Sequence, residues 1–211
     1  MENLHNLYEA ILTGKLELAV STTKEAIEKG VKPQEIINGY MIKAMEEIGN
    51  RYETGKAFVP ELLMAARAMK GSLDLLRPLL KADSISGTAK VAIGTVKGDL
   101  HDIGKNLVAS MLEGCGFEVM NLGVNVSADQ FINAVKNDGA SVICMSALLT
   151  TTMNQMKEVI EACKTAGIRE HVKIMVGGAP VNQSFADSIG ADGYSDNANS
   201  AVALAKSLVG A

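Results

Sequence analysis

The sequence predicts an α/β protein in two parts: an N-terminal four-helix bundle, then a five-stranded parallel sheet wrapped by helices. Three observations carry this. Apolar residues recur with the 3.6-residue helical period through roughly the first 80 residues. From residue 90 onward, short apolar and partly β-branched runs alternate with helical stretches, the pattern of parallel strands joined by right-handed crossovers. Between the two lies the polar, aperiodic stretch Asp83-Ser-Ile-Ser-Gly-Thr88, which reads as a linker. The expected organisation is a helical cap over 1–82, a linker over 83–89 and an α/β domain over 90–211.

In the cap, Leu4, Leu7, Tyr8, Ile11 and Leu12 form one face of a first helix. After Gly14, Leu16, Ala19, Val20, Thr23 and Ile27 form a second, which Gly30 closes. Pro33 suits the first turn of a third helix carrying Ile36, Ile37, Tyr40, Met41, Ala44, Met45 and Ile48. Gly49 and Gly55 bracket an expected break at Asn50–Thr54. Pro60 opens a fourth helix with Leu62, Ala66, Met69, Leu73 and Leu76, and Pro78 marks its end. Short connections between four such helices imply a small bundle.

In the second part, strands are expected at Val91–Val96, Phe117–Leu122, Ser141–Met145, Val172–Val176 and Gly193–Ser195. Helices are expected near 103–114, 127–137, 152–166, 180–188 and 197–209, with Ser127 and Gln130 as a capping box. Ile103, Leu107, Val108, Met111 and Leu112 supply the first of these with an apolar face. Five strands suit the flavodoxin-like, Rossmann-type order 2-1-3-4-5.

Composition narrows the function classes. A net charge of -4, unclustered Lys and Arg, and no Trp argue against a nucleic-acid partner. No apolar run approaches the about 20 residues of a membrane span, and the N-terminus lacks a signal-peptide pattern. Cys115, Cys144 and Cys163 are widely separated, which favours reduced, mostly buried thiols and a cytoplasmic setting.

The order 2-1-3-4-5 brings the loops after strands one, three and four to one edge. These loops are Lys97–Gly104, Ser146–Thr152 and Gly177–Pro180. The first carries Asp99 and His101, and an Asp accepting the Nδ1 proton would leave Nε2 as a metal donor or a general base. The second carries the hydroxyls of Ser146, Thr150, Thr151 and Thr152, and in the third Gly177 and Gly178 allow close backbone approach by a ligand. His5 and His171 lie far off in the chain, and no carboxylates cluster near His101. A bare zinc or iron ion would want more protein ligands, whereas a metal already held by a macrocycle needs one. Neither a Gly-x-Gly-x-x-Gly fingerprint nor a P-loop is present.

Asp99-Leu-His101-Asp-Ile-Gly104, then Ser146-x-Leu148, then Gly177-Gly178, resembles the three-part signature of cobalamin-binding domains. The run Thr95-Val-Lys-Gly-Asp-Leu-His-Asp-Ile-Gly-Lys-Asn106 is similar to the cobalamin module of cobalamin-dependent methionine synthase. The likeness extends upstream through Gly55-Lys-x-Phe58-x-Pro60 and Ala66-Arg-x-Met69-Lys, the helical cap of that module. A cap and cobalamin domain of this length resembles the corrinoid proteins of methyltransferase systems.

The resemblance implies cobalamin or a related corrinoid bound base-off/His-on, with His101 as axial cobalt ligand and Asp99 behind it. Gly98, Leu100, Asp102, Ile103 and Gly104 complete that loop of the site. It implies a slot for the nucleotide tail lined by Ser146, Leu148, Thr150, Gly177, Gly178 and Ala198. A Ser hydroxyl completes the His–Asp relay in methionine synthase, and Thr152 takes the aligned position here, a departure that keeps the hydroxyl. Two bulky cap residues there, Phe and Leu, align with Tyr52 and Val59, with Phe58 and Asn38 as further candidates for that surface. The linker would be the hinge that lets the cap swing aside.

The function implied is a methyl carrier. The corrinoid would accept a methyl group on Co(I) from a substrate-specific methyltransferase. It would pass it from methyl-Co(III) to a second methyltransferase, of tetrahydrofolate or coenzyme M type. A reductive activase is an implied third partner, and the chain alone is a cofactor-bearing subunit rather than a complete enzyme. A light-sensing cobalamin regulator has a similar cap and domain but usually adds a DNA-binding helix-turn-helix, and the N-terminal helices here are used by the bundle and show no basic face. The cobalamin subunit of a radical mutase shares the signature but normally lacks the cap. A non-corrinoid flavodoxin-like binder would leave the three motifs unexplained.

Overall fold

The computed structural model describes residues 2–79 and 89–210. They form two compact units. One holds the helices before residue 80 together with Ser110–Gly116, and the other holds Ala89–Ala109 and the chain from Phe117 onward. Residues 83–88 of the expected linker lie outside the described residues.

In the helical unit, α1 spans Glu2–Leu12 and α2 Leu16–Glu28. Then come α3 at Pro33–Ile36, a π-helical turn at Ile37–Met41, and α4 at Ile42–Glu53. The last is α5, Val59–Leu76, followed by a 3-10 turn at Arg77–Leu79. Leu7, Ile11, Ile36, Met41, Leu62, Met69 and Leu76 are the largest fully buried side chains of these helices. Packing between α2 and α5 is close because Gly71 presents no side chain, and a Cβ there would stand 2.6 Å from Leu16 Cδ1. Two features differ from the sequence expectation. The periodicity over Ile36–Ile48 hid the π turn, whose extra residue is invisible to a 3.6-residue template. The break does not begin at Asn50, since α4 runs on to Glu53 and Gly49 is buried within it. The chain turns instead at Thr54–Phe58, where Gly55 has φ +71°.

The second unit has strands β1 Lys90–Val96, β2 Glu118–Val126, β3 Val142–Ser146, β4 Lys173–Gly177 and β5 Gly193–Ser195. All pairings are parallel, in the order β2-β1-β3-β4-β5. The helices are α6 Ile103–Gly114, α7 Ala128–Lys136, α8 Asn154–Thr165, α9 Gln183–Ile189 and α10 Ala198–Val209. The fold class and strand order match the expectation. Val91–Val96 is buried throughout, as a central parallel strand should be. Val96 joins Phe131, Ile143, Met145, Met156, Ile160 and Ile174 in a core beside the sheet. The capping box on α7 forms, with Ser127 N–H on Gln130 Oε1 at 2.9 Å.

Three further differences bear on the site. Strand β2 continues four residues past Leu122, to Val126. Ile103 is 88% exposed, so the apolar face of α6 starts at a later turn. Gly178 has φ +122°, and a Cβ there would lie 1.9 Å from the Ala147 carbonyl oxygen. The chain's own backbone, rather than a ligand, excludes a side chain at that position.

Gly178→Ala therefore combines a disfavoured backbone with a backbone clash and should cost more than about 3 kcal/mol. Gly139→Ala, with φ +77° but open space around its Cβ, should cost about 1 kcal/mol. Urea unfolding of the two variants checks the ranking, and equal losses would contradict it.

Candidate functional site

The strand register builds a polar, side-chain-poor row across the C-terminal edge of the sheet. Thr95 of β1 pairs with Ser146 of β3, Ser146 with Gly177 of β4, and Gly177 with Ser195 of β5. Parallel strands leave their C-terminal carbonyls and the following loops at this edge, where open α/β sheets place ligands. His101 stands in the loop after β1, and Thr95 Oγ1 donates to its carbonyl at 2.8 Å.

Asp99 is the organising group. Its side chain has 0% exposure, and both oxygens are occupied. Oδ1 accepts from His101 Nδ1 at 2.7 Å and from His101 N–H at 3.1 Å. Oδ2 accepts from Leu148 N–H at 2.8 Å, Leu149 N–H at 3.3 Å and the Thr152 hydroxyl at 2.9 Å. Burial by itself raises the carboxyl's affinity for its proton. The bonds from Leu148 N–H, the His101 ring, His101 N–H and Thr152 outweigh burial and hold Asp99 well below the usual carboxylate range. Thr152 is buried, and its Oγ1 also lies 2.9 Å from the Leu149 carbonyl. A hydroxyl has one proton to give, and the ionised carboxylate is the stronger acceptor.

An ionised carboxylate only accepts, so Nδ1 of His101 carries a proton, and in the neutral ring that leaves the lone pair on Nε2. The ring is 51% exposed, and Nε2 forms no hydrogen bond among the described residues. No group of three or more His, Cys, Asp or Glu is placed to hold a metal ion among the described residues. His171 precedes β4, at the opposite end of the sheet, and His5 belongs to α1 of the other unit. A single outward imidazole with its Nδ1 tied down suits a metal already coordinated by a macrocycle, not a bare ion. Leu100, Ile103, Leu148 and Leu149, exposed by 71%, 88%, 44% and 41%, give this edge an apolar rim.

The other sequence candidates fall as follows. Gly98, Leu100, Asp102, Ile103 and Gly104 share the loop and the start of α6 with His101. Ser146 is half-buried at the end of β3, Thr150 is exposed, and Ala198 is the buried first residue of α10. Gly177 ends β4, and Gly178 follows it. Tyr52, half-buried in α4, and Val59, at the start of α5, flank the 54–58 turn of the helical unit. Cys144 is buried, its thiol pushed up to about 12, which makes it an inert core residue.

Several participants escaped the sequence reading. Asn125 Oδ1 accepts from Gly98 N–H at 2.7 Å, and Asn125 N–H donates to the Asp99 carbonyl at 3.0 Å. Lys105 is buried at 3% exposure, with Nζ 2.6 Å from both Asn106 Oδ1 and Asn121 Oδ1. Asn106 Nδ2 in turn reaches Asp102 Oδ2 at 2.9 Å. Burial pushes the Lys105 ammonium down, opposed by the charge of Asp102. The available signal was two Asn residues, a type that strands disfavour, on either side of the expected end of β2.

With this geometry in place, comparison with known proteins decides the family. Residues 89–203 match the B12 binding domain, and residues 4–77 match a second family of that description. The chain belongs to the B12-binding domain family. It is 43% identical to dimethylamine corrinoid protein 1 of Methanosarcina acetivorans over 99% of this chain and 98% of that protein. A cobalamin-binding protein from Desulfitobacterium hafniense DCB-2 superposes with TM-score 0.81 at 30% identity, covering 97% of each chain. A chain of the methanol:cobalamin methyltransferase complex MtaBC from Methanosarcina barkeri superposes with TM-score 0.83 at 30% identity, over 99% of this chain and 80% of that one. As a B12-binding protein it has no helix among its described residues long and apolar enough to cross a membrane.

Two outcomes follow for the Asp99 centre. Thr152→Val, nearly isosteric, should cost about 1–2 kcal/mol by removing a donor from a buried carboxylate, while Thr152→Ser should cost less. The carboxylate's stabilisation is complete above the unfolded pKa of about 4 and fades as pH falls toward the lower folded value. The urea midpoint of the wild type should therefore drop more steeply between about pH 5 and 3 than that of Asp99→Asn. Parallel pH profiles would contradict this.

Proposed function

We propose that the protein is a corrinoid methyl carrier. In this reading it holds cobalamin or a related corrinoid base-off/His-on, with His101 Nε2 as the axial ligand of the cobalt. The observation that carries the reading is the tethered imidazole, its Nδ1–H on a fully buried, ionised Asp99 and its Nε2 unengaged. A single protein donor fits a metal whose other ligands come from a corrin ring. The cobalt of the bound corrinoid supplies the centre that takes up and gives up the methyl group.

The chain's own residues then divide the remaining work. Asp99 fixes the tautomer of His101 and strengthens it as a donor, and Thr152 helps hold Asp99 ionised. Ser146, Leu148, Thr150, Gly177, Gly178 and Ala198 line the slot for the displaced nucleotide tail. Low side-chain bulk along the row Thr95–Ser146–Gly177–Ser195 supports that assignment. Gly98, Leu100, Asp102, Ile103 and Gly104 shape the loop beneath the ring.

The partners in this reading are a substrate-specific methyltransferase and a second methyltransferase acting on tetrahydrofolate or a thiol of the coenzyme M type. A reductive activase restores oxidised cobalt. Relatives named for dimethylamine and a structure named for methanol support small methylated amines or alcohols as donors.

Purified protein mixed with hydroxocobalamin should show a base-off/His-on absorption spectrum, and His101→Ala should lose its His-on features while still retaining corrinoid. In the reduced state, wild-type protein should take up methyl from dimethylamine or methanol only when a partner methyltransferase is added. Absence of corrinoid binding, or methyl uptake with no partner, overturns the proposal.

A further inference from the structure

We infer that Asn125 is a positioning residue for the Asp99–His101 pair, acting through the backbone of the loop that carries them. This rests on reading His101 as the axial ligand. Asn125 is the one non-glycine residue with positive φ among the described residues, at +54°. Left-handed backbone is disfavoured for a residue with a Cβ, and glycine would adopt it freely. An asparagine there implies a use for its side chain. The use is visible: Oδ1 accepts the Gly98 N–H at 2.7 Å, in a loop where Gly98 itself has φ +82°. The main chain adds a second tie, Asn125 N–H to the Asp99 carbonyl at 3.0 Å. On the loop's other side, Asp99 N–H donates to the Val96 carbonyl at 3.1 Å. These three bonds fix the backbone from Val96 to Asp99.

The sheet is deformed so that Asn125 can reach. Ile93 pairs with Asn121 and Val96 with Val126, so β1 advances three residues (96 − 93) while β2 advances five (126 − 121). The two surplus residues form an irregularity at the edge strand, a device that re-aims side chains beside functional sites. Asn125 does not touch Asp99's carboxylate. Leu148, Leu149 and Thr152 hold one oxygen of that group from β3's loop, and Asn125 holds the backbone behind it. Two separate anchors thus set where Oδ1 meets His101 Nδ1. A loose backbone at Gly98–Asp99 would let that 2.7 Å bond open and free the ring to exchange tautomers.

The test separates this role from folding. Asn125→Gly keeps the left-handed backbone without strain and removes only the acceptor, and Asn125→Asp keeps an acceptor at the same reach. In apoprotein, the 15N shifts of the His101 ring should report a single Nδ1–H tautomer for the wild type and Asn125→Asp. Asn125→Gly should show a tautomer mixture and faster exchange of the Gly98 amide. In protein loaded with hydroxocobalamin, the His-on to His-off ratio should fall about tenfold for Asn125→Gly, the size of one hydrogen bond. An unchanged tautomer and ratio in Asn125→Gly, or equal loss in both variants, overturns the inference. Should no variant bind corrinoid, the carrier reading fails, while the apoprotein spectra still decide whether Asn125 sets the His101 tautomer.

Discussion

A carboxylate removed from water must be surrounded by donors or give up its charge. Asp99 is surrounded: five donors from two loops converge on its two oxygens, and the charge is kept. Much of the site's form follows. The β3–α8 loop is drawn to the β1–α6 loop because Leu148 and Leu149 N–H groups have no other acceptor as good. Thr152 turns inward while Thr150 and Thr151 stay exposed. His101 is left with one nitrogen bound and one open, a polarity that the buried anion imposes from behind.

The sheet provides the frame for that anion. Parallel order β2-β1-β3-β4-β5 puts β1 and β3 side by side, so that their following loops meet at the strand ends. Close packing at Gly178 keeps the loop after β4 against Ala147, the residue before the Leu148 donor. On the other flank the irregular edge strand β2 brings Asn121 toward Lys105 and Asn125 toward Gly98. The buried Lys105 ammonium is met by amide oxygens rather than by a direct carboxylate contact, with Asp102 one residue further along the network. The start of α6 is thus tied to β2 by a polar network, beside the loop that carries His101.

Much of this was legible in the sequence because the signals were local. Helical periodicity, β-branched runs and a capping box at Ser127 each report on a few consecutive residues. Alternation then implied strand order, and order implied which loops meet. What stayed hidden depends on register or on backbone conformation. The π turn at Ile37–Met41 preserves the apolar spacing on both sides. Strand β2 runs past its expected end at Leu122 through Gly123 and Asn125, residue types common in turns, and both have positive φ while the strand continues. The pair Gly177-Gly178 suggests room for a ligand, yet the tight approach at Gly178 is to Ala147. The row Thr95–Ser146–Gly177–Ser195 exists only once four strands are in register.

The central claim is that an imidazole of this chain, oriented by Asp99, becomes the axial ligand of a corrinoid cobalt. Electron paramagnetic resonance of the Co(II) state tests it most directly. Two samples are compared, one of unlabelled protein and one in which histidine is labelled with 15N and the corrinoid is not. The account predicts a three-line nitrogen splitting in the unlabelled protein that becomes two-line on labelling. A three-line splitting that survives labelling would place the corrinoid's own base on the metal and contradict the account.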